Sequence, residues 1–221
     1  MQENHVCPRL ALLDDCLAKS IDRSENNVYN KIGHSEKGEQ NMKIMIASDI
    51  HGSAYYCEKL LEAYHREGAE RLLLLGDILY HGPRNDLPRE YAPKKVAAML
   101  NEMKESILCV RGNCEAEVDQ MMLEFPVLAD YCILYAGKRM IFATHGHTYH
   151  KKALPPLQSG DILLHGHTHV PVCEIQQTYT YLNPGSVSIP KENSWHGYMM
   201  LTDSEFIWKN LDGEEKNRIV Y

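Results

Sequence analysis

Five short apolar segments of the chain are each followed, within three residues, by aspartate, asparagine or histidine. Their length suits buried strands, and they are Lys43–Ser48, Arg71–Leu75, Ile107–Val110, Met140–Thr144 and Asp161–Leu164. The polar residues that follow are Asp49-Ile50-His51, Gly76-Asp77, Gly112-Asn113, His145-Gly146-His147 and His165-Gly166-His167-Thr168-His169. Ligand sites in open α/β sheets form just beyond the carboxyl ends of strands, so we expect these side chains to converge on one crevice.

The rest of the apolar pattern predicts the remaining elements of a mixed fold. Residues 54–67 show helical spacing and stop at Gly68, and Tyr91–Met103 shows it with Pro93 in the first turn. Beyond Pro171 the pattern favours strands at Val172–Ile175, Tyr179–Leu182, Tyr198–Thr202 and Phe206–Leu211. Alternating strands and helices, followed by strands alone, predict an α/β sandwich with two sheets.

The first 41 residues differ from the rest of the chain. The pattern favours a short helix at Leu10–Ala18, and the segment after it is polar and poor in large apolar groups. The first buried strand then follows Met42. We therefore predict a functional domain at residues 42–221, preceded at 1–41 by a peripheral or disordered extension or by a start-site artefact.

Charge and cysteine content narrow the functional classes. The chain has 30 acidic and 23 basic residues and a net charge of -7, which does not suit a protein that grips long nucleic acid. Seven cysteines without a Cys-x-x-Cys pair argue against a disulfide framework and predict a cytoplasmic location. We expect no membrane segment, because no apolar run approaches ~20 residues and the start lacks a signal-peptide pattern.

The residue types at the strand ends suit divalent metal ions. Carboxylate, imidazole and amide oxygen are moderately hard ligands for Mn, Fe or Zn, whereas a structural zinc site is usually rich in thiolates. Asp49 and His51 lie two residues apart, as do His167 and His169, so each pair can face the same side of an extended segment. Asp77 has two carboxylate oxygens and can bridge two ions. Taken singly, Asp77 could equally cap a helix and Asn113 could occupy a turn.

The ordered set of motifs resembles the calcineurin-like metallophosphoesterase superfamily. Its pattern is Asp-x-His, Gly-Asp, Gly-Asn-His-Asp/Glu, His and Gly-His-x-His, and this chain matches it in order from Asp49 to His169. The chain is similar in particular to the small YfcE-type phosphodiesterases. That similarity covers about residues 42–211 and includes Ala47–Gly52, Gly76–Asn85, Val110–Cys114 and Asn183–Pro190.

This resemblance implies a four-layer αββα sandwich of two mixed β-sheets flanked by helices. It also implies a metal-dependent phosphodiesterase with two divalent ions, of which Mn is favoured over Fe and Zn. A metal-bridging hydroxide would be the nucleophile, and Asp77 would bridge the ions. The implied ligands are Asp49, His51, Asp77 and His169 for one ion, and Asp77, Asn113, His145 and His167 for the other.

Cys114 departs from the broad family pattern. The family places a histidine at this position, whereas the YfcE-type subgroup shows the same cysteine, and a thiol is a weak hydrogen-bond donor. Loss of one general acid typically costs a factor of ~10²–10⁴ in rate, so we expect a slow enzyme or one that prefers good leaving groups. Candidate replacements are Glu115, His81, His147 and Arg84, with Arg84 the best phosphate clamp. The catalytic set is thus predicted as Cys114, Arg84 and His81, and a covalent cysteine mechanism is disfavoured.

The sequence is also compatible with other functions. The favoured substrate is a small phosphodiester, and the enzyme alternatives are a cyclic-nucleotide phosphodiesterase and a nucleotide or protein phosphatase. The alternative outside the enzymes is a scaffold similar to the retromer subunit with this fold, although the complete ligand set argues against it. Similar small phosphoesterases imply a homo-oligomer. The turn that begins at Asn183 is interpreted as structural support beneath the site.

Overall fold

The computed structural model describes residues 42–221, which form eleven strands, three α-helices and one 3₁₀ turn. The predicted helix at Leu10–Ala18 and the predicted extension lie outside these residues. The strands are Ile44–Ala47 (β1), Arg71–Leu74 (β2), Ile107–Cys109 (β3), Tyr131–Ala136 (β4), Arg139–Thr144 (β5), Asp161–His165 (β6), Pro171–Ile175 (β7), Tyr179–Pro184 (β8), Gly197–Leu201 (β9), Glu205–Asn210 (β10) and Glu215–Val220 (β11). The helices are Ala54–Glu67 (α1), Pro93–Asn101 (α2) and Glu117–Met122 (α3), and the 3₁₀ turn is Lys104–Ser106.

The strands form two mixed sheets, which confirms the predicted α/β sandwich. The six-stranded sheet has the order β11-β10-β9-β1-β2-β3, and the five-stranded sheet has the order β4-β5-β6-β8-β7. Strands β1, β2 and β3 run parallel to one another, as do β5, β6 and β8. The carboxyl ends of each parallel set therefore lie at one edge of its sheet.

Two apolar layers fill the sandwich. One cluster joins the facing sides of the two sheets and includes Ile46, Leu73, Leu164 and the fully buried Trp208. A second cluster joins the outer face of the six-stranded sheet to α1 and α2. Within residues 42–221, the outer face of the five-stranded sheet carries a small cluster of Phe142, Leu163 and Tyr181. The side chains that pack against it are Tyr149, Leu157, Val172 and Tyr179.

Local signals explain the bounds of the helices. Helix α1 has the predicted bounds. At its start the Ser53 side chain accepts a hydrogen bond from the Tyr56 amide, and at its end Gly68 adopts a left-handed conformation. Helix α2 is shorter than the predicted Tyr91–Met103, because Tyr91 pairs with Ser53 in an isolated β-bridge and Pro93 begins the helix. The predicted strands agree with the structure to within two residues, whereas α3, β4 and β11 were not predicted.

Candidate metal centre

Seven polar residues meet beyond the carboxyl ends of the parallel strands, as the sequence predicts. We call them the ligand cluster. The loops after β1, β2 and β3 contribute Asp49, His51, Asp77 and Asn113, and the loops after β5 and β6 contribute His145, His167 and His169.

The main chain of the ligand cluster is unusual. Among residues 42–221, eight residues other than glycine have a positive φ, and five of them belong to the cluster: Asp49, His51, Asp77, His167 and His169. Their φ values lie between 51° and 66°. This left-handed conformation costs roughly 1–2 kcal/mol for a residue with a Cβ, although Asp and His adopt it more often than most. Strain concentrated in this way is a mark of a functional site.

One group of donor atoms surrounds the space between Asp49, His51 and His169. Asp49 Oδ1 lies 3.6 Å from His51 Nε2 and 3.3 Å from His169 Nε2. The two imidazole nitrogens are 3.3 Å apart, and Asp77 Oδ2 lies 3.6 Å from His51 Nε2. These four side chains are the ones that the family resemblance implies for the first ion.

A second group surrounds the other oxygen of Asp77. His145 Nε2 lies 3.5 Å from Asp77 Oδ1, 3.2 Å from Asn113 Oδ1 and 3.1 Å from His167 Nδ1. The Asn113 amide nitrogen points instead to the sulfur of Cys114, at 3.3 Å, which leaves the amide oxygen facing the group. The two oxygens of Asp77 therefore face different groups of donors.

Three histidines of the cluster are held in one tautomer by main-chain carbonyls. A carbonyl can only accept a hydrogen bond, so each Nδ1 must carry the proton, and each Nε2 keeps its lone pair in the neutral ring. The acceptors are Tyr80 O for His51 at 2.8 Å, Leu75 O for His145 at 2.7 Å and Ile189 O for His169 at 2.7 Å.

The pKa shifts of His167 and Asp49 suit a cation, whereas the pKa of His51 is raised, because Asp49 and the Tyr80 carbonyl outweigh the effect of burial. Burial lowers the pKa of His167 to about 4, with a further contribution from neighbouring His145, so its ring is neutral at pH 7. Burial opposes ionisation of Asp49, but the imidazoles of His51, His169 and His145 close to it lower its pKa below the ordinary value. Metal ions require neutral imidazoles and ionised carboxylates.

The donor set fits divalent metal ions. Asp49 Oδ1 is buried and has no hydrogen-bond partner among residues 42–221, which is costly unless a cation binds there. Asp49, His51 and His169 offer ligand atoms that all lie within 4.8 Å of one another, as do Asp49, Asp77 and His145. Oxygen and nitrogen donors in this combination suit Mn, Fe or Zn.

Glu115 holds two of the ligand loops together. Its Oε1 accepts a hydrogen bond from the Ile78 amide at 2.7 Å, and its Oε2 accepts from the amides of Asp77, at 2.9 Å, and Gly112. Both oxygens are thus occupied inside the protein. The suggestion that Glu115 replaces the general acid is therefore wrong, because its carboxylate binds the main chain and does not face a substrate.

The chain around Asn183 supports the cluster from the five-stranded sheet. The Asn183 amide donates hydrogen bonds to Gly166 O at 2.8 Å and to the Thr168 hydroxyl at 3.0 Å, which fixes the loop after β6. The hydroxyls of Ser186 and Ser188 donate to Asp49 O at 2.9 and 3.0 Å. The sequence indicated a supporting turn here, but no sequence signal identified the two serines.

A cavity of about 370 Å³ opens onto the cluster. Arg84, Cys114 and Lys191 line it beside Asp77, Asn113, His167 and His169. Two cationic side chains, Arg84 and Lys191, therefore line a cavity of a protein whose net charge is negative. The sequence did not indicate Lys191, because an isolated lysine belongs to no motif. Burial and the Asp77 carboxylate raise the pKa of the Cys114 thiol, which disfavours a thiolate nucleophile.

The remaining histidines lie at the margin of the site. The ring of His81 packs edge-on against Tyr80 and Tyr91, and its buried Nδ1 has no hydrogen-bond partner in the described part of the chain. His147 is exposed, and its ring centroid lies 5.5 Å from that of His145.

Comparison with known proteins identifies the family. The calcineurin-like phosphoesterase superfamily domain matches residues 42–205. The chain belongs to this superfamily. It is therefore a hydrolase of phosphate esters, and the family identification made from its motifs is confirmed.

Individual relatives of the superfamily differ widely in their similarity to this chain. Phosphodiesterase YfcE of Escherichia coli K12 is 50% identical over 160 residues, which cover 72% of this chain and 87% of that protein. The structure of YfcE, a phosphoesterase from E. coli, matches with a TM-score of 0.78 at 45% identity, over 81% of this chain and 99% of that one. Vacuolar protein sorting 29 of Cryptosporidium parvum shares the fold alone, with a TM-score of 0.53 at 16% identity over 82% and 99% of the two chains.

Proposed function

We propose that residues 42–221 hydrolyse small phosphodiesters at a dinuclear metal centre. The observation that carries this proposal is the position of Asp77: its Oδ2 lies 3.6 Å from His51 Nε2, and its Oδ1 lies 3.5 Å from His145 Nε2. Asp77 is thereby suited to bridge two ions. Asp49, His51 and His169 complete the first ion's ligands, and Asn113, His145 and His167 complete the second's.

The chemistry expected of such a centre is hydrolysis by an activated water. Two divalent cations, held by the ligand cluster, would supply a hydroxide nucleophile near neutral pH by lowering the pKa of a coordinated water. The Asp77 amide and carboxylate are held from both sides, by Glu115 and by the Cys114 amide, which donates to Oδ1 at 2.9 Å. The bridging side chain is thus positioned before any substrate arrives.

Side chains at the opening of the cavity are assigned to the phosphate. Arg84 and Lys191 are exposed and line the same cavity as Asp77, so they can pair with anionic oxygens that enter it. Cys114 lines the same cavity, and we assign its thiol, a weak hydrogen-bond donor, to the leaving group. His81 is the candidate to assist it, because its buried Nδ1 lacks a partner.

A phosphodiester is favoured over a monoester by the 50% identity to phosphodiesterase YfcE. The scaffold alternative is disfavoured, because a scaffold does not require seven converging donor residues, three of them histidines held in one tautomer. We further propose Mn as the metal, on the family resemblance, with Fe and Zn as alternatives. A homo-oligomer and a cytoplasmic location stay predictions. Within residues 42–221, no helix combines the length and apolar character needed to span a bilayer.

The test is metal removal and replacement. Protein stripped with a chelator should be inactive, and added Mn should restore hydrolysis of bis-p-nitrophenyl phosphate more strongly than that of p-nitrophenyl phosphate. Metal analysis should give about two ions per chain, and Asp77→Ala should lose both the ions and the activity. Protein that binds no metal and cleaves neither ester would contradict the proposal and favour a scaffold.

A further inference from the structure

A second cavity, of about 390 Å³, adjoins the ligand cluster. Unlike the first cavity, it is lined mainly by apolar and aromatic side chains. We call it the aromatic pocket, and its principal residues are Tyr80, Tyr91, Pro93, Cys114, Val118 and Met122.

We propose that the aromatic pocket binds a flat aromatic arm of the phosphodiester substrate, an inference that rests on the proposed function. The substrate class would then be small diesters that carry an aryl or nucleobase group next to the phosphate. The volume lies within the range usual for ligand pockets.

The pocket adjoins the reaction centre through Cys114. This residue lines both cavities, and its sulfur lies within 4.8 Å of the donor atoms of His51 and Asp77. A phosphate bound at the ligand cluster would therefore have an ester arm within reach of the pocket. Tyr80 makes a second connection, because its carbonyl accepts the Nδ1 proton of His51 at 2.8 Å.

The two tyrosines suit a flat partner. The ring of Tyr91 lies against Gly52 so closely that a Cβ at Gly52 would be 2.5 Å from Tyr91 Cε2. Its other neighbour is the His81 ring, 5.2 Å away and nearly perpendicular at 81°. Tyr91 is thus held in place, while Tyr80 remains 42% exposed beside it. Rings held in this way can stack with, or pack edge-on against, an aromatic group.

The wall of the pocket formed by helix α3 is apolar, although α3 contributes no buried residue to the core. Helix α3 has no buried residue, yet it presents Val118 to the pocket at 61% exposure. Lys94 and Asp119 also line the pocket, and their charges are opposite, so the wall does not select a charged group. An apolar arm would remove this exposed surface from water, which accounts for its presence.

The experiment compares Val118 with a neighbour that does not line the pocket. Val118→Lys and Val118→Glu place either charge in the wall, and Met121→Lys and Met121→Glu are matched controls on the same helix, where Met121 is 84% exposed. Neither residue is buried, so all four variants should fold. Hydrolysis of bis-p-nitrophenyl phosphate by the Mn-loaded protein is measured, together with saturation-transfer difference NMR of 4-nitrophenol and of thymidine on the metal-free protein.

Both Val118 variants should raise KM about tenfold, with a smaller change in kcat, while the Met121 variants match the unaltered protein. The NMR signals should disappear in the Val118 variants alone, and whichever of 4-nitrophenol and thymidine binds more tightly separates an aryl arm from a nucleobase. Val118 variants that match the Met121 variants would overturn the inference and leave the proposed function intact. Val118 variants that change only the oligomeric state would also overturn it, in favour of an interface between chains. No hydrolysis by the unaltered Mn-loaded protein would overturn both proposals.

Discussion

The ligand cluster and the aromatic pocket lie side by side, but the chain holds them in different ways. Five of the seven cluster residues have left-handed backbone, and Glu115, Ser186 and Ser188 fix the loops from behind. The wall formed by α3 has no buried residue. The difference teaches that the donor positions are fixed by backbone conformation and hydrogen bonds, whereas a surface proposed to contact an ester arm needs only shape and apolarity.

The largest effect should follow from removing a ligand. His145→Ala should lower kcat by at least about 10³-fold, which is more than the 10–100-fold usual when only the partner of a ligand is lost. Metal content should fall to about one ion per chain, because the second group loses its central nitrogen. Metal analysis and steady-state kinetics measure this, and exposed His65→Ala on α1 should leave both unchanged. An active His145→Ala protein with two ions would contradict the ligand assignment.

Gly166→Ala should destabilise the fold, although Gly166 contributes no side-chain donor to the ligand cluster. A Cβ there would collide with the Ser48 hydroxyl and lie 2.9 Å from Asp49 Oδ2. We expect a loss of about 2–3 kcal/mol in the free energy of unfolding, measured with urea. Gly68→Ala is the control: nothing lies within 4 Å of its added Cβ, so only the left-handed backbone costs about 1 kcal/mol. Equal losses in the two variants would show that the loop after β6 yields easily.

Glu115→Gln tests whether support from behind matters to the site. The side-chain amide group would face main-chain N–H donors, leaving at least one unsatisfied at a cost of about 1–3 kcal/mol. Metal affinity should fall by about 10–100-fold, since Asp77 loses its anchor. Titration calorimetry with Mn measures the affinity, and exposed Glu117→Gln is the matched control. Unchanged affinity would mean that the ligand loops keep their positions without this carboxylate.

The ion pair of Glu67 and Lys209, which lies outside the ligand cluster, gives a stability change with which the losses at the cluster can be compared. Glu67 accepts hydrogen bonds from Lys209 Nζ at 2.7 Å and from the Tyr198 hydroxyl at 2.8 Å. Burial alone would raise the pKa of Glu67, but these partners lower it below its ordinary value of 4.5. A lowered carboxyl pKa in the folded state stabilises the fold above the unfolded pKa, and this stabilisation disappears as pH falls through the folded pKa.

Glu67→Gln should therefore cost about 1 kcal/mol at pH 7, a modest value because the pair is partly exposed to solvent. The difference should shrink as pH falls below about 4.5, the unperturbed value. Urea unfolding at several pH values measures it, and phosphodiesterase activity should not change. A difference that is constant with pH would show that packing, and not charge, accounts for the loss.

The smallest effect is expected in the wall of the pocket. Val118→Ala should change the free energy of unfolding by no more than about 0.5 kcal/mol, because the side chain is 61% exposed on a helix without buried residues. Thermal unfolding measures this. A loss above about 2 kcal/mol would show that α3 contributes to the core and would remove the contrast with the ligand cluster.

Elements with one buried face or a clear stop signal could be predicted from the sequence. The bounds of α1 follow from Ser53 and Gly68, and the parallel strands follow from short apolar runs. Strand β4 was missed because Tyr131, Ile133 and Tyr135 are exposed, so its apolar residues do not mark one buried face. Helix α3 has no buried residue, and β11 is a mainly exposed edge strand, so neither carries the periodicity of a packed element.

The ligand cluster could be predicted because strand ends converge, but its supports could not. The partners of the histidines are main-chain carbonyls, which every residue possesses and no motif marks. Glutamate is a common catalytic acid, so the sequence alone allows that role for Glu115. The three hydrogen bonds that its carboxylate accepts from main-chain amides reveal its structural role. The aromatic pocket combines residues from separate loops with a helix that the sequence did not predict, so its shape becomes visible only in three dimensions.

The left-handed backbone at Asp49 and Asp77 also has a consequence for evolution. One base change turns an aspartate codon into a glycine codon, and glycine adopts this conformation without steric cost. That change would remove a proposed metal ligand while relieving backbone strain and removing a buried negative charge. Lineages that no longer need the reaction can therefore lose it in a single step and keep the fold.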